Sequence, residues 1–200
     1  MIFLRVRDFE IHSGFLAPDA QALLVAELRG ILAQAPLVQP VTPRGTPMSV
    51  RMSAAGTYGW ISDRKGYRYE PVHPSGVPWP PIPDTLLAMW QSLVPEARAP
   101  ECCLINWYDA TAKMGMHQDR DEADLSQPVV SVSLGDDALF RMGNQTRGGK
   151  TESVWLRSGD VVVMKDAART AYHGIDRVRA DSSTLLPKGG RINLTLRVVT

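Results

Sequence analysis

His117-Gln118-Asp119 closes a short apolar run that begins at Lys113; a second histidine, His173, follows 56 residues after the first, and the alternating stretch Arg191-Ile192-Asn193-Leu194-Thr195-Leu196-Arg197 lies beyond it. On a β-strand residues i and i+2 share a face, so His117 and Asp119 point the same way or converge at the strand's end. Two imidazoles and one carboxylate can hold a non-haem iron on one side and leave the opposite positions open for a chelating ligand and dioxygen. The last run has every polar residue on one face and every aliphatic on the other. An arginine's planar fork matches a carboxylate bidentately, which suits that face to an acidic co-substrate.

Working outward, the chain from residue 102 is a series of short apolar or alternating segments: Cys103–Tyr108, Lys113–His117, Val129–Leu134, Leu139–Met142, Ser153–Leu156, Val161–Met164, Thr170–His173 and Arg191–Val198. Gly, Pro, Asn or Asp punctuate most of the gaps. Eight such strands fit a double-stranded β-helix, or jelly roll, although another β-sandwich would satisfy the same pattern. Upstream, residues 18–34 carry Leu23, Leu24, Leu28, Ile31 and Leu32 at helical spacing behind Pro18. A second helix is expected after Asp84 as N-cap, burying Leu87, Trp90 and Val94 before Pro95. The stretch from about 36 to 83 is rich in Gly, Pro and aromatics and reads as short strands joined by loops. The expected class is mainly β with flanking helices (α+β), in one domain spanning 1–200.

Composition narrows the function. The chain has 200 residues, 22 basic and 21 acidic, a net charge of +1, which argues against bulk electrostatic binding of nucleic acid but not against a local grip on a few phosphates. The amino terminus shows no secretory signal pattern, and no apolar run reaches membrane-spanning length, so a cytoplasmic protein with no membrane partner is expected. The two cysteines, Cys102 and Cys103, are adjacent on an expected strand and point to opposite faces, which disfavours a disulfide or a thiolate metal site.

The residues alone leave the triad open. A His-x-Asp pair arises easily by chance, a lone histidine on a strand is commonly structural, and a jelly roll could equally hold zinc or manganese there. Alternation in the last strand would also suit a solvent-facing edge. Its donor density is the discriminating feature, together with Asn106-Trp107-Tyr108, whose parity puts an amide and a phenol on a common face.

In Asn106-Trp107-Tyr108, His117-Gln118-Asp119-Arg120-Asp121-Glu122, Val130-Ser131-Val132-Ser133-Leu134-Gly135, Gly159-Asp160-Val161-Val162-Val163, Tyr172-His173-Gly174-Ile175 and the Arg191–Arg197 strand, the chain resembles the AlkB family of Fe(II)- and 2-oxoglutarate-dependent dioxygenases, bacterial nucleic-acid repair type. Thr42-Pro43, Met48-Ser49-Val50, Gly59-Trp60, Gly66-Tyr67-Arg68-Tyr69 and Pro78-Trp79-Pro80 follow the family order upstream. The resemblance runs from about residue 40 to the end. It implies a nucleotide-recognition lid over about 40–80 and a jelly-roll core over about 102–200.

The resemblance also implies roles. His117, Asp119 and His173 would bind Fe(II); Arg191 would take the distal carboxylate of 2-oxoglutarate with Asn106 and Tyr108, and Arg197 and Asn193 would lie nearer the metal. Dioxygen would complete the set, giving succinate, CO2 and formaldehyde from an N-methyl group. Trp60 and Tyr67 would stack on a flipped base, with Tyr69 beside them, and Asp121 would contact an exocyclic amino group, Glu122 being the weaker candidate. Arg147, Met48 and Ser49 would line the nucleotide site. Arg64, Lys65 and Arg68 could hold phosphates. The implied activity is demethylation of 1-methyladenine and 3-methylcytosine in alkylated DNA, preferring single strands, by a monomer.

Each reading has a plainer rival. Trp60 and Tyr67 could be a hydrophobic cluster, and Asp121-Glu122 an acidic surface loop. RNA demethylation or tRNA hydroxylation is a neighbouring function; a metal-dependent sensor without turnover, or a hydroxylase of small molecules or proteins, would be a different one. Met114 and Met116 stand where leucines are common in the family, Met164 where tryptophan is, and Ile192 where an aromatic is, which leaves pocket shape open.

Overall fold

In the computed structural model, which describes residues 3–200, the chain is built from thirteen strands, two α-helices and one 3-10 turn. In chain order these are β1 (Leu4–Val6), β2 (Phe9–His12), α1 (Pro18–Gln34), β3 (Arg51–Gly56), β4 (Gly59–Asp63), β5 (Gly66–Glu70), α2 (Asp84–Leu93), β6 (Cys102–Tyr108), β7 (Met114–His117), β8 (Val129–Gly135), β9 (Ala138–Met142), β10 (Glu152–Leu156), β11 (Val161–Met164), β12 (His173–Val178) and β13 (Arg191–Arg197). A seven-stranded sheet has the order β1-β2-β11-β8-β13-β6-β3 and a four-stranded sheet the order β10-β9-β12-β7, all pairs antiparallel. The eight strands from β6 to β13 divide four to each sheet, the jelly-roll arrangement. The hairpin β4–β5 forms a separate two-stranded sheet.

Two apolar layers explain the order. Between the sheets lie Leu104, Val129, Val162 and Met164 from the large one and Phe140, Met142 and Ile175 from the small one. On the other face of the large sheet, Ile105, Val132, Val163, Leu194 and Leu196 meet Leu24, Leu28 and Ile31 of α1 and Leu86, Met89 and Trp90 of α2. Period-2 alternation sends neighbours to different layers. Cys102 packs between the sheets while Cys103 packs under the helices, and both are free thiols.

Several expectations need correction. The strand expected over Thr170–His173 begins only at His173 and continues to Val178. The carbonyls of Thr170 and Ala171 are taken by the side chains of Gln118 and His173, and so are not free for a ladder. Asp84 is the first residue of α2 and Pro83 occupies the cap. Trp90 of α2 and Val94 just beyond it are buried as expected, but Leu86 and Met89 are buried as well, while Leu87 is only partly so. Leu23 is 55% exposed, because the buried stripe of α1 runs through Gln21, Leu24, Val25, Leu28 and Ile31. The buried Gln21 is satisfied by Leu16 O and the Ser158 hydroxyl. Strands β1 and β2 were not anticipated; their charged residues obscure the alternation. The stretch 36–83 is also not wholly apart from the core, since β3 extends the large sheet beside β6. No helix among the described residues is long and apolar enough to cross a membrane.

Candidate active site

His117 and His173 are cross-strand partners at the adjoining ends of β7 and β12. Pairing therefore brings together two residues far apart in sequence, with ring centroids 4.6 Å apart. Asp119, two residues past β7, reaches both: Oδ1 lies 3.6 Å from His117 Nε2 and Oδ2 3.7 Å from His173 Nε2. The three ligand atoms lie within 4.8 Å of one another. Each ring Nδ1 is hydrogen-bonded to the carbonyl two residues before it, Gly115 O at 2.9 Å and Ala171 O at 3.0 Å. That bond fixes Nδ1 as the donor and leaves both Nε2 lone pairs for a metal.

The local field suits a cation. Burial alone would raise the Asp119 carboxyl, but Arg197 and the two imidazoles override it and hold it well below the ordinary carboxylate range. Burial keeps His173 neutral by lowering it to about 4. His117 is displaced upward: burial opposes the proton, and Asp119 more than compensates. An anionic oxygen between two imidazoles is the donor set of a facial metal site with open positions.

The polar face of β13 forms the wall beside the triad. This strand lies between β8 and β6, so its alternation marks a buried partition and not a solvent-facing edge. Arg191 is 1% exposed; Nη2 donates to Ser133 Oγ at 3.0 Å, while Nε and Nη1 have no partner among the described residues. Its guanidinium lies 5.1 Å from the Tyr108 ring centre. Asn106 Oδ1 and Arg197 Nε are likewise buried without partners. Unpaired buried donors are costly in a finished fold, and a dicarboxylate would satisfy those of the two arginines. The residues therefore fit an iron and an acidic chelator. Asn193 lines the same cavity, but its amide is engaged by Ser131 Oγ, Val132 O and the Thr195 hydroxyl.

Of the residues given metal, co-substrate or base-site roles from the sequence, all but Tyr69 and Glu122 line one cavity of about 670 Å³; Arg64, Lys65 and Arg68 lie outside its lining. At its mouth Trp60 of β4 and Tyr67 of β5 stack on each other, centroids 5.4 Å apart and planes 17° from parallel. Asp121 accepts the Trp60 indole N–H at 2.8 Å. Met48 and Arg147 line the cavity as well; Ser49 does so while bonding both the carbonyl and the N–H of Lys113. Arg68 is not available for phosphate, because Asp63 and Glu70 occupy its guanidinium.

Tyr69 turns inward. Its hydroxyl donates to Glu122 and meets Arg197 Nη1 at 3.1 Å. Glu122 is fully buried, accepting from Arg197 at 3.1 Å and from Arg169 at 3.0 Å. Arg169 also donates to the backbone carbonyls of Asp119 and Gln127. Arg197 in turn pairs with Asp119 Oδ1 at 2.9 Å. Sequence reading gave Glu122 a minor place and missed Arg169 and Gln118. All three lie outside the strands, where no periodicity reports which way a side chain faces. Gln118 ties its own loop to Thr170 O and Gln145 O.

The sequence matches the 2OG-Fe(II) oxygenase superfamily over residues 8–197. It is 49% identical over 193 residues to the alpha-ketoglutarate-dependent dioxygenase AlkB homolog of Caulobacter vibrioides, covering 96% of this chain and 88% of that one. To alpha-ketoglutarate-dependent dioxygenase AlkB of Escherichia coli K12 it is 39% identical over 184 residues, covering 90% and 85%. The solved structure of OsALKBH1 superposes with a TM-score of 0.82 at 27% identity, covering 98% of this chain and 99% of that one.

Proposed function

The chain belongs to the 2OG-Fe(II) oxygenase superfamily, and from that premise we propose that it oxidatively removes N-methyl groups from bases in alkylated nucleic acid, with single-stranded DNA bearing 1-methyladenine or 3-methylcytosine as substrate and DNA repair as the outcome. It is an alpha-ketoglutarate-dependent dioxygenase whose His117-Asp119-His173 site serves Fe(II). The observation that carries the substrate reading is the Trp60–Tyr67 stack and the Asp121 carboxylate at the mouth of the cavity that holds this triad.

Iron, 2-oxoglutarate and dioxygen supply the oxidation that converts an N-methyl group into one lost as formaldehyde, with succinate and CO2 as co-products. The chain supplies positioning. His117, Asp119 and His173 would hold the iron, and the free donors of Arg191 would take the distal carboxylate of the co-substrate beside Asn106 and Tyr108. Arg197, braced by Glu122, would serve the co-substrate nearer the metal, with Asn193 close by. A base must leave its stack to reach this depth. The aromatic pair then offers a π-face, with Met48, Ser49 and Arg147 around it. Because Trp60 and Tyr67 already stack, the base lies against the pair and not between its rings. Asp121 supplies negative charge where 1-methyladenine and 3-methylcytosine carry positive charge that ordinary bases lack. The hairpin β4–β5 acts as the nucleotide-recognition lid, and the protein works as a monomer.

The test gives the purified chain Fe(II), 2-oxoglutarate and oxygen, with methylated single-stranded DNA, duplex DNA and RNA side by side, and measures formaldehyde. Release from single-stranded DNA is expected, and Asp119→Ala abolishes it. Turnover confined to RNA would move the activity to RNA. No turnover on any of the three, with succinate formed on another substrate, would overturn the reading.

A further inference from the structure

The outer face of the four-stranded sheet carries a groove of about 570 Å³ that no role above uses. Strand alternation builds it. Ala138, Phe140 and Met142 of β9 face the core, so Leu139 and Arg141 face outward. Arg177 of β12 is the cross-strand partner of Leu139, and Trp155 of β10 is its partner on the other side. Arg177 and Arg179 both lie over the Trp155 ring, at 5.6 and 4.1 Å from its centre.

The groove has an excess of positive charge. Lys113, Arg141 and Arg177 line it against one carboxylate, Asp176, which sits on Arg141 at 2.6 Å; Arg179, paired with Asp137 at 3.3 Å, lies beside it over the Trp155 ring. Among the described residues neither Lys113 nor Arg177 has a carboxylate partner, and Arg141 Nε has no partner at all. No two of these cations stand directly opposite each other, since Leu139 faces Arg177 and Gly174 faces Arg141, but Lys113 and Arg177 leave the groove with uncompensated positive charge. An anion laid along the groove would offset it.

The groove also adjoins the active-site cavity. Lys113, Met114, Gly115 and Ile175 line both. The boundary is β7, the edge strand of its sheet. A Cβ built on Gly115 would meet nothing within 4 Å, so a chain can pass close over the strand at that point.

Resting on the nucleic-acid reading above, we propose that this groove carries the phosphodiester backbone of the strand whose base occupies the cavity, with Lys113 at the crossing and Arg141 and Arg177 on phosphates beyond it. Phosphate contacts of this kind position a strand without reading its sequence. Asp176 holds one edge of the Arg141 fork and leaves the remaining donors for the ligand. The groove thus makes affinity depend on strand length, while the cavity sees only the modified base.

The experiment uses the full chain loaded with Mn(II) and 2-oxoglutarate, which permits binding without turnover. Binding of a methylated trinucleotide and of a methylated single-stranded DNA of about fifteen nucleotides is measured against salt, for the wild type, Arg177→Gln and Arg141→Gln/Arg177→Gln. Each lost single-strand phosphate contact should lower the slope of log K against log salt by about 0.7. The double variant should therefore bind the longer strand roughly tenfold more weakly, with a slope lower by about 1.4. Its affinity for the trinucleotide, and its turnover of it with Fe(II), should be unchanged. Arg177→Gln, which leaves the Arg141–Asp176 pair intact, should show half the change in slope. Equal slopes and affinities on the longer strand, with normal trinucleotide turnover, would sink the groove alone. Failure of the wild type to bind or turn over either nucleic acid would overturn both this inference and the base-binding reading.

Discussion

Trp60 donates its indole N–H to Asp121 across 2.8 Å, joining the β4–β5 hairpin to the loop that carries the metal ligand Asp119. Both residues line the cavity, so the bond fixes the indole and the carboxylate relative to each other at the proposed base site. Trp60→Phe keeps a ring for stacking and deletes the bond. The methylated-DNA KM should rise about fivefold, the equivalent of about 1 kcal/mol for one hydrogen bond, with little change in kcat. An unchanged KM would show that the contact does not orient the site. Trp60→Ala should weaken base-dependent turnover further while metal affinity holds.

Arg191 keeps Nε and Nη1 free for the proposed carboxylate contact while Nη2 is held by Ser133. Arg191→Lys retains charge but loses the planar geometry, and should raise the KM for 2-oxoglutarate at least tenfold, with Fe(II) affinity and melting temperature near wild type. Arg191→Ala should raise it further. Initial-rate kinetics against 2-oxoglutarate and metal titration read the two effects separately, and a normal KM in Arg191→Lys would refute the assignment.

Glu122 is a buried anion shared by Arg197 and Arg169. Removing one partner of a buried ionic cluster leaves uncompensated charge, at a cost of about 3–5 kcal/mol. Glu122→Ala should lower the melting temperature by roughly 10 °C, and Glu122→Gln, which keeps the shape, by less. Tyr69→Phe, deleting one hydroxyl, should cost least. Equal melting of Glu122→Ala and wild type would remove Glu122 from the framework.

Metal-free protein should lose stability in mild acid through His173. Its imidazole titrates near 6.5 when unfolded, but in the fold burial lowers it to about 4, so protonation favours the unfolded chain in that interval. The contribution is complete above pH 6.5 and is lost as the pH falls toward 4. Urea midpoints of chelator-treated wild type should fall over this window more steeply than those of His173→Gln. Parallel curves would contradict the prediction.

Burial raises the Cys102 thiol to about 12 and that of Cys103 well above its ordinary value. Neither forms thiolate at neutral pH, so native protein should take up no thiol reagent, and both should react in denaturant. Labelling in the native state followed by mass spectrometry decides it.

By itself the sequence determined the chemistry and most of the frame. Period-2 alternation is a local property, so it located seven of the eight core strands and the donor face of β13 before any contact was known. The triad was legible as a metal-site candidate from its residue types, and its iron chemistry through the family resemblance that the ordered motifs carry. The exception among the strands, residues 170–173, lost its backbone carbonyls to side chains from elsewhere, and no local pattern records that competition. Only the tertiary structure placed His173 beside His117, because cross-strand register depends on how the whole sheet closes. It likewise decided that the β13 stripe is a buried wall, that Tyr69 and Glu122 turn inward to Arg197 and Arg169, and that Arg141, Arg177 and Lys113 meet in one groove. Those outcomes rest on long-range pairing and on the desolvation of charge, and neither is a property of any short segment.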